Sequence, residues 1–120
     1  MSTFKELKVY QKAFNLAMDI FETTKSFPPE EKYGLTIQIR KSSRSLCSSI
    51  AEAYRKRKYP AHFVSKTTDA DMENSETQVW PDFSLSSKYI NRKTYDNYLK
   101  RSEEVGKMLN HMIENPKKYE

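Results

Sequence analysis

Glycine is almost absent from this chain, in which Gly34 and Gly106 are the only two among 120 residues. A β-sheet protein needs many tight turns, and glycine is the residue that most readily adopts their backbone conformations. Four long segments instead carry apolar residues at three- and four-residue spacing, which is the pattern of amphipathic helices. The sequence therefore predicts an all-α fold with few connections.

The ends of these helices are marked by residues that disfavour helical backbone. We predict helices over about 4–24, 30–57, 60–86 and 92–114. The breaks between and after them are Ser26-Phe27-Pro28-Pro29, Tyr59-Pro60 and Asn115-Pro116, with Asn91 as the N-cap of the fourth helix. Long helices with short links predict a single domain, 1–120, folded as an antiparallel up-down-up-down four-helix bundle.

The third predicted helix contains Pro81, which removes one backbone donor and crowds the carbonyl of Thr77. We expect a kink near 77–81 or an early end to the helix there. The apolar pattern of this helix is also the weakest of the four. Its expected core-facing residues are Phe63, Val64, Thr67, Ala70, Met72, Val79, Phe83 and Leu85.

The other three helices have regular core-facing stripes. The first helix contributes Val9, Ala13, Leu16, Ala17, Ile20 and Thr24. The second contributes Leu35, Ile39, Ser42, Ser43, Leu46, Ile50, Ala53 and Tyr54. The fourth contributes Tyr95, Tyr98, Ser102, Val105, Leu109 and Met112.

Charge is segregated along the chain, whose net charge is +5. Residues 40–58 contain seven Arg or Lys and a single acid, Glu52, whereas residues 69–82 contain five acids and no base. Four of the seven bases project within about 60° of one another on the second helix. These four are Arg40, Arg44, Arg55 and Lys58, and those that point elsewhere are Lys41, Lys56 and Arg57.

A line of arginines beside a helix seam suits phosphate binding, because each guanidinium offers a bidentate fork of donors. Tyr54 and Tyr59 are nearby candidates for stacking on bases. The alternative is a solvated basic face, or salt bridges to acids of the third helix within or between subunits.

Other chemistries have little support in the sequence. The single cysteine, Cys47, excludes an intrachain disulfide. Neither His62 nor His111 follows a glutamate by three residues, so no metal site and no cofactor is predicted. One candidate acid–base cluster exists on the third helix, although a solvated acidic face explains it more simply. Its members are Asp69, Glu73, Glu76 and Asp82.

No apolar run reaches the roughly 20 residues of a membrane span, and the N-terminal segment lacks the apolar stretch of a signal peptide. We therefore expect a cytoplasmic, soluble protein without membrane contact.

Four blocks of the sequence carry a family resemblance. They are Phe4-x-x-Leu7-x-Val9-Tyr10-x-x-Ala13, Phe27-Pro28-x-Glu30-x-x-Tyr33-Gly34-Leu35-x-x-Gln38-Ile39-Arg40-Lys41, Ser45-Leu46-x-Ser48-Ser49-Ile50-Ala51-Glu52-Ala53 and Glu76-Thr77-Gln78. With them the chain resembles the four-helix-bundle 23S rRNA intervening-sequence proteins and the related accessory variability determinants of diversity-generating retroelements. It departs from their pattern at Ser49, Ala53 and Pro81.

The resemblance implies an antiparallel four-helix bundle that assembles into a ring-like homopentamer. The retroelement members bind nucleic acid and a reverse transcriptase through a basic surface, so both are expected partners. The positions that match the family blocks are Arg40, Lys41, Ser45, Glu52 and the basic Arg55–Arg57.

We expect a non-catalytic, homo-oligomeric protein that contacts the phosphates of RNA or DNA. The candidate nucleic-acid-binding residues are Arg40, Lys41, Arg44, Arg55, Arg57 and Lys58. The first alternative is an interaction scaffold in which basic and acidic faces pair between subunits without nucleic acid. The second, which the missing His and Cys chemistry disfavours, is an enzyme with a carboxylate site on the third helix.

Overall fold

The computed structural model describes residues 3–120, and Met1 and Ser2 of the predicted domain lie outside the described residues. Its long helices are α1 (Lys8–Thr24), α2 (Leu35–Arg55), α3 (Pro60–Ser86) and α4 (Arg92–Glu114), and residues 3–120 contain no strand. Each helix packs against the next in the chain, and α4 closes against α1. The molecule measures 44 × 23 × 23 Å. The predicted all-α, four-helix fold is confirmed.

Two predicted helix starts and one end are wrong. Phe4–Glu6 is a separate 3-10 turn, because Leu7 is extended and interrupts the helix before Lys8. Pro29–Glu31 is likewise a 3-10 turn, so α2 begins only at Leu35, and it ends at Arg55 instead of residue 57.

The late start of α2 has a local cause in the carboxylate of Glu31. Glu31 Oε1 accepts a hydrogen bond from the backbone N–H of Leu35 at 3.1 Å, and Glu31 Oε2 accepts one from the Tyr89 hydroxyl at 2.9 Å. A Cβ on Gly34 would lie 2.9 Å from Oε1, so a larger residue there would require the Glu31 carboxylate to shift. Glu31 therefore satisfies one of the free N–H groups of the α2 N-terminus from outside the helix.

The core-facing stripes of the first and second helices are confirmed in full, and that of the fourth is confirmed except for half-buried Tyr95. The stripe predicted for α3 is wrong at three positions, and Val64 and Leu85 are only half-buried. Met72, Val79 and Phe83 are 69%, 42% and 56% exposed. The buried face of α3 instead consists of Phe63, Thr67, Ala70, Asn74, Thr77, Pro81 and Ser84.

Pro81 does not end α3, which continues to Ser86. The proline is itself buried in the seam of the helix. Burial of its ring helps to offset the missing backbone hydrogen bond. Within residues 3–120, no helix combines the length and the apolar character that crossing a membrane requires.

Candidate nucleic-acid interface on helix α2

Arg40, the first of the six candidate residues, is half-buried and serves the fold. Its Nε donates to Thr24 Oγ1 at 2.7 Å and its Nη2 donates to the carbonyl oxygen of Phe21 at 3.4 Å. Its guanidinium lies 4.7 Å from the centre of the Phe21 ring. The C-terminal end of a helix favours a cation, because its last carbonyl groups have no partner within the helix. Arg40 therefore joins α2 to the end of α1.

Arg57 has a similar role at the end of α2. Its Nη1 donates to the carbonyl oxygen of Tyr54 at 3.1 Å, and its guanidinium lies 4.1 Å from the centre of the Tyr54 ring. Tyr54 itself is buried, so the structure leaves only Tyr59 of the two predicted stacking tyrosines exposed.

The remaining four candidates are exposed, and they are Lys41, Arg44, Arg55 and Lys58. None of the six candidates forms a salt bridge with a carboxylate of residues 3–120. The salt bridges in that range involve other cations, namely Lys12, Lys25, Lys66, Arg92 and Arg101. Lys58 lies beyond the last residue of α2, so the stripe on the helix itself is formed by Arg40, Arg44 and Arg55.

Glu52, the one acid within residues 40–58, forms a salt bridge with a residue of α3. Glu52 accepts from Lys66 of α3 at 3.3 Å, and the hydrogen bond to Glu52 raises the pKa of Lys66. Glu52 is therefore neutralised on the α3 side of α2. The arginines retain their positive field toward solvent.

Lys41 is the candidate whose charge acts on an acid of α3. Partial burial raises the pKa of Glu73, as do a hydrogen bond and negative charge from Glu76, whereas the charge of Lys41 opposes this shift. Lys41 thus lies at the border between the basic and acidic surfaces. Residues 3–120 contain no group of three or more His, Cys, Asp or Glu that could hold a metal ion.

The structure adds two residues that the sequence reasoning missed, Phe21 and Lys25 of the α1 end. Lys25 Nζ lies 4.9 Å from the centre of the Phe21 ring, on which Arg40 and Arg44 also converge, Arg44 at 5.4 Å. Three cations from two segments thus surround one phenyl ring. Only the packing of α1 against α2 reveals this cluster, because helical projection compares positions within one helix.

Comparison with known proteins shows the family to which the chain belongs and a solved structure with a similar fold. A family profile described as 23S rRNA-intervening sequence protein matches residues 5–111, which include all six candidates. The chain belongs to the 23S rRNA-intervening sequence protein family. A solved structure similar to this family member is a protein with unknown function from the S23 ribosomal protein family of Bacteroides thetaiotaomicron. The two share 26% identity with a TM-score of 0.79, over 88% of this chain and 95% of the other. No curated protein matches the chain.

Proposed function

We propose that this chain is a cytoplasmic, homo-oligomeric and non-catalytic protein that binds the phosphates of RNA or DNA through α2. The observation that carries the proposal is the exposure of Lys41, Arg44, Arg55 and Lys58 without a salt-bridging carboxylate. An unpaired, solvated guanidinium can exchange its counterions for phosphate with little desolvation cost. The description of the family, 23S rRNA-intervening sequence protein, is consistent with a nucleic-acid ligand.

The two arginines that remain exposed on α2 are well placed for successive contacts. Arg44 and Arg55 are eleven residues apart on nearly the same side of the helix, a separation of about 16 Å along its axis. Ser48 and Ala51 lie between them with short side chains that leave the surface open. One subunit can make only a few phosphate contacts in this way. A ring of identical subunits would multiply these contacts and raise the overall affinity.

Salt-dependent binding tests the proposal. We would measure fluorescence anisotropy of labelled RNA and DNA oligonucleotides from low salt to about 300 mM KCl. The triple variant Arg44→Gln, Arg55→Gln, Lys58→Gln is expected to bind at least about tenfold more weakly. Its plot of log affinity against log salt should also be shallower by about two to three units for each subunit that contacts the strand, since each phosphate contact contributes about 0.7–0.9.

A matched control removes three exposed lysines from α4. The variant Lys93→Gln, Lys100→Gln, Lys107→Gln changes the net charge by the same amount, and these residues are exposed. Its affinity should change by less than about twofold if the site is local to α2. Equal losses in both triple variants, or no binding of the native chain at low salt, would contradict the proposal.

A second candidate function is favoured by the outer face of α3. Exposed Met72, Val79 and Phe83 share this surface with the exposed acids Asp69 and Glu76, so it combines apolar and acidic character. Such a face complements the basic surface of α2 on another copy of the chain. In this scaffold the two faces would pair between subunits and exclude nucleic acid from α2.

Charge reversal separates the two candidates. If the faces pair, Arg44→Glu with Arg55→Glu should dissociate the oligomer, as should Asp69→Lys with Glu76→Lys. The combination of all four changes should restore it, because the attraction between the faces is regained with opposite signs. Sedimentation velocity measures the assembly. An oligomer that is indifferent to either reversal excludes the scaffold.

A further inference from the structure

An open groove runs between the N-terminal part of the chain and α2, and Arg44 of the basic stripe is one of its lining residues. Its volume is about 400 Å³, and a second depression of about 510 Å³ adjoins it. Tyr10 and Phe14 line both, so these two rings form the wall that separates the depressions. The 3-10 turn, α1 and α2 together shape this surface.

The aromatic wall is held in place from one side and open on the other. Phe4 contacts Tyr10 edge-on at 5.0 Å between ring centres, and Tyr10 is stacked with Phe14 at 6.1 Å and 25° between the ring planes. Phe14 is nevertheless 46% exposed, and its neighbour Met18 is 43% exposed. A fixed ring with a free face can stack on a planar ligand without first being ordered.

Among the described residues, the charged side chains that line the two depressions are all positive. Arg44 lines the first depression and Lys5 lines the second, whereas neither is lined by an Asp or Glu of residues 3–120. Gln11 and Asn15 add amide groups beside Phe14, and amides can hydrogen-bond the edges of bases. A planar aromatic ligand with attached negative charge fits these features.

We infer that this groove binds an unpaired base of a single-stranded nucleic acid, stacked on Phe14 with an adjacent phosphate held by Arg44. The inference rests on the proposed function and specifies its ligand class. A duplex cannot meet this geometry, because its bases are already stacked and paired within the helix. The competing occupant is the acidic and apolar face of α3 on a second copy of the chain, and the sedimentation measurement below distinguishes it.

The variant Phe14→Leu tests the stacking directly, because it keeps an apolar side chain of similar size and removes the aromatic face. Tyr33→Leu, in the segment before α2, is the matched control, since Tyr33 is also an exposed aromatic residue and lines neither depression. Each protein would be titrated with a single-stranded RNA, the same strand with abasic sites, and its duplex. Urea unfolding of both variants verifies that they remain folded.

Phe14→Leu is expected to weaken single-strand binding about fivefold or more and to leave the salt dependence unchanged, because no phosphate contact is lost. The abasic strand and the duplex should bind the native chain more weakly and should not respond to the variant. The fluorescence of a strand containing 2-aminopurine should be quenched by the native chain and by Tyr33→Leu, but less by Phe14→Leu.

Unchanged single-strand affinity of Phe14→Leu, or an equal loss with the abasic strand, would overturn the inference. A sedimentation coefficient of Phe14→Leu that differs from that of the native chain would also overturn it, because the groove would then be a contact between copies of the chain. If binding depends on Arg44 and Arg55 but not on Phe14, only the stacking groove fails. If no strand binds the native chain at low salt, the proposed function fails as well.

Discussion

The guanidinium of Arg40 contacts the last turn of α1 through Thr24 and the carbonyl of Phe21, and it also lies over the Phe21 ring. Arg40→Gln removes the charge and these contacts together. We expect it to lower the free energy of unfolding by about 1.5–3 kcal/mol, the range for hydrogen bonds that involve a charged group. Urea denaturation followed by circular dichroism measures the change.

Arg55→Gln is the control for this prediction, because Arg55 is exposed on the same helix. Its unfolding free energy should stay within about 0.5 kcal/mol of the native value. Equal destabilisation by the two variants would show that α2 needs positive charge in general. It would contradict a specific role for Arg40 at the end of α1.

Cys47 provides a residue-level test in alkaline solution. Burial raises the pKa of its thiol from 9.0 to about 11. The folded state therefore keeps the thiol proton at pH values where the unfolded chain has lost it. The resulting stability is fully present below pH 9 and is lost as the pH rises through 11, at up to about 1.4 kcal/mol per pH unit.

The measurement compares the native chain with Cys47→Ala between pH 8 and 11. Other groups titrate over this range in both proteins, so the difference between their unfolding free energies reports the thiol together with the effect of its charge on the pKa of Tyr10. The unfolding free energy of the native chain should fall relative to that of Cys47→Ala as the pH rises above 9. A difference that is independent of pH would show that the thiol ionises equally easily in the folded and unfolded states.

At the scale of the elements, α3 meets α4 through a polar cluster inside the bundle. Asn74 Nδ2 donates to the carbonyl oxygen of Ser102 at 3.0 Å, and Ser102 Oγ donates to Asn74 Oδ1 at 2.8 Å. Gln78 Nε2 donates to Ser102 Oγ at 2.9 Å. A buried asparagine that is bonded in this way favours one register of the two helices over alternatives.

This cluster predicts the behaviour of Gly106. A Cβ there would lie 3.2 Å from Asn74 Nδ2, and the hydrogen bonds of Asn74 prevent it from moving away. Gly106→Ala should therefore be neutral or destabilising in the native chain, although alanine is the better helix former. In an Asn74→Ala background it should stabilise the fold by about 0.5–1 kcal/mol. Thermal unfolding of the native chain, the two single variants and the double variant measures this difference. If Gly106→Ala changes the stability equally in both backgrounds, the contact between residue 106 and Asn74 is contradicted.

The contrast between α1 and α3 shows what sequence periodicity can predict. The stripe of α1 is recognisable because Val9, Leu16 and Ile20 are strongly apolar, and it is buried as predicted. The seam of α3 repeats just as regularly, but Thr67, Asn74 and Ser84 occupy it. The hydroxyls of Thr67 and Ser84 donate to carbonyl oxygens one turn earlier in α3, and Asn74 bonds to α4. Hydrophobicity reports none of these hydrogen bonds.

The candidate site divides in the same way. The exposure of Arg44 and Arg55 follows from helical projection, which needs only their positions within α2. The internal roles of Arg40 and Arg57 depend on the end of α1 and on the turn after α2. The contribution of Phe14 depends on the packing of α1 against α2, so it could not be recognised within one helix.

At the scale of the whole molecule, the two sides of the bundle differ in chemical character. Exposed Lys41, Arg44 and Arg55 lie on α2, whereas exposed acids and apolar side chains share the outer face of α3. A surface that exposes Met72, Val79 and Phe83 together is costly in water unless another molecule covers it. A second copy of the chain is the partner that is always present at the same concentration. We therefore expect the outer face of α3 to hold the homo-oligomer together.

Sedimentation velocity and native mass spectrometry test this expectation. The native chain should have a mass that is a multiple of 14.2 kDa, five times that value for a pentameric ring. Met72→Gln with Phe83→Gln should shift it toward the monomer, because the interface loses apolar contact. The matched pair Phe14→Gln with Met18→Gln also polarises two exposed apolar residues, but it should leave the assembly intact.

Dissociation should also weaken nucleic-acid binding, even though the α3 variant keeps every basic residue of α2. Separate subunits lose the effective concentration that links their phosphate contacts, so the affinity should fall by about a hundredfold or more. The α1 pair should lose stacking on single strands without losing assembly. A native chain that remains monomeric at high concentration, or an α3 variant that dissociates yet binds nucleic acid with undiminished affinity, would disconnect binding from assembly.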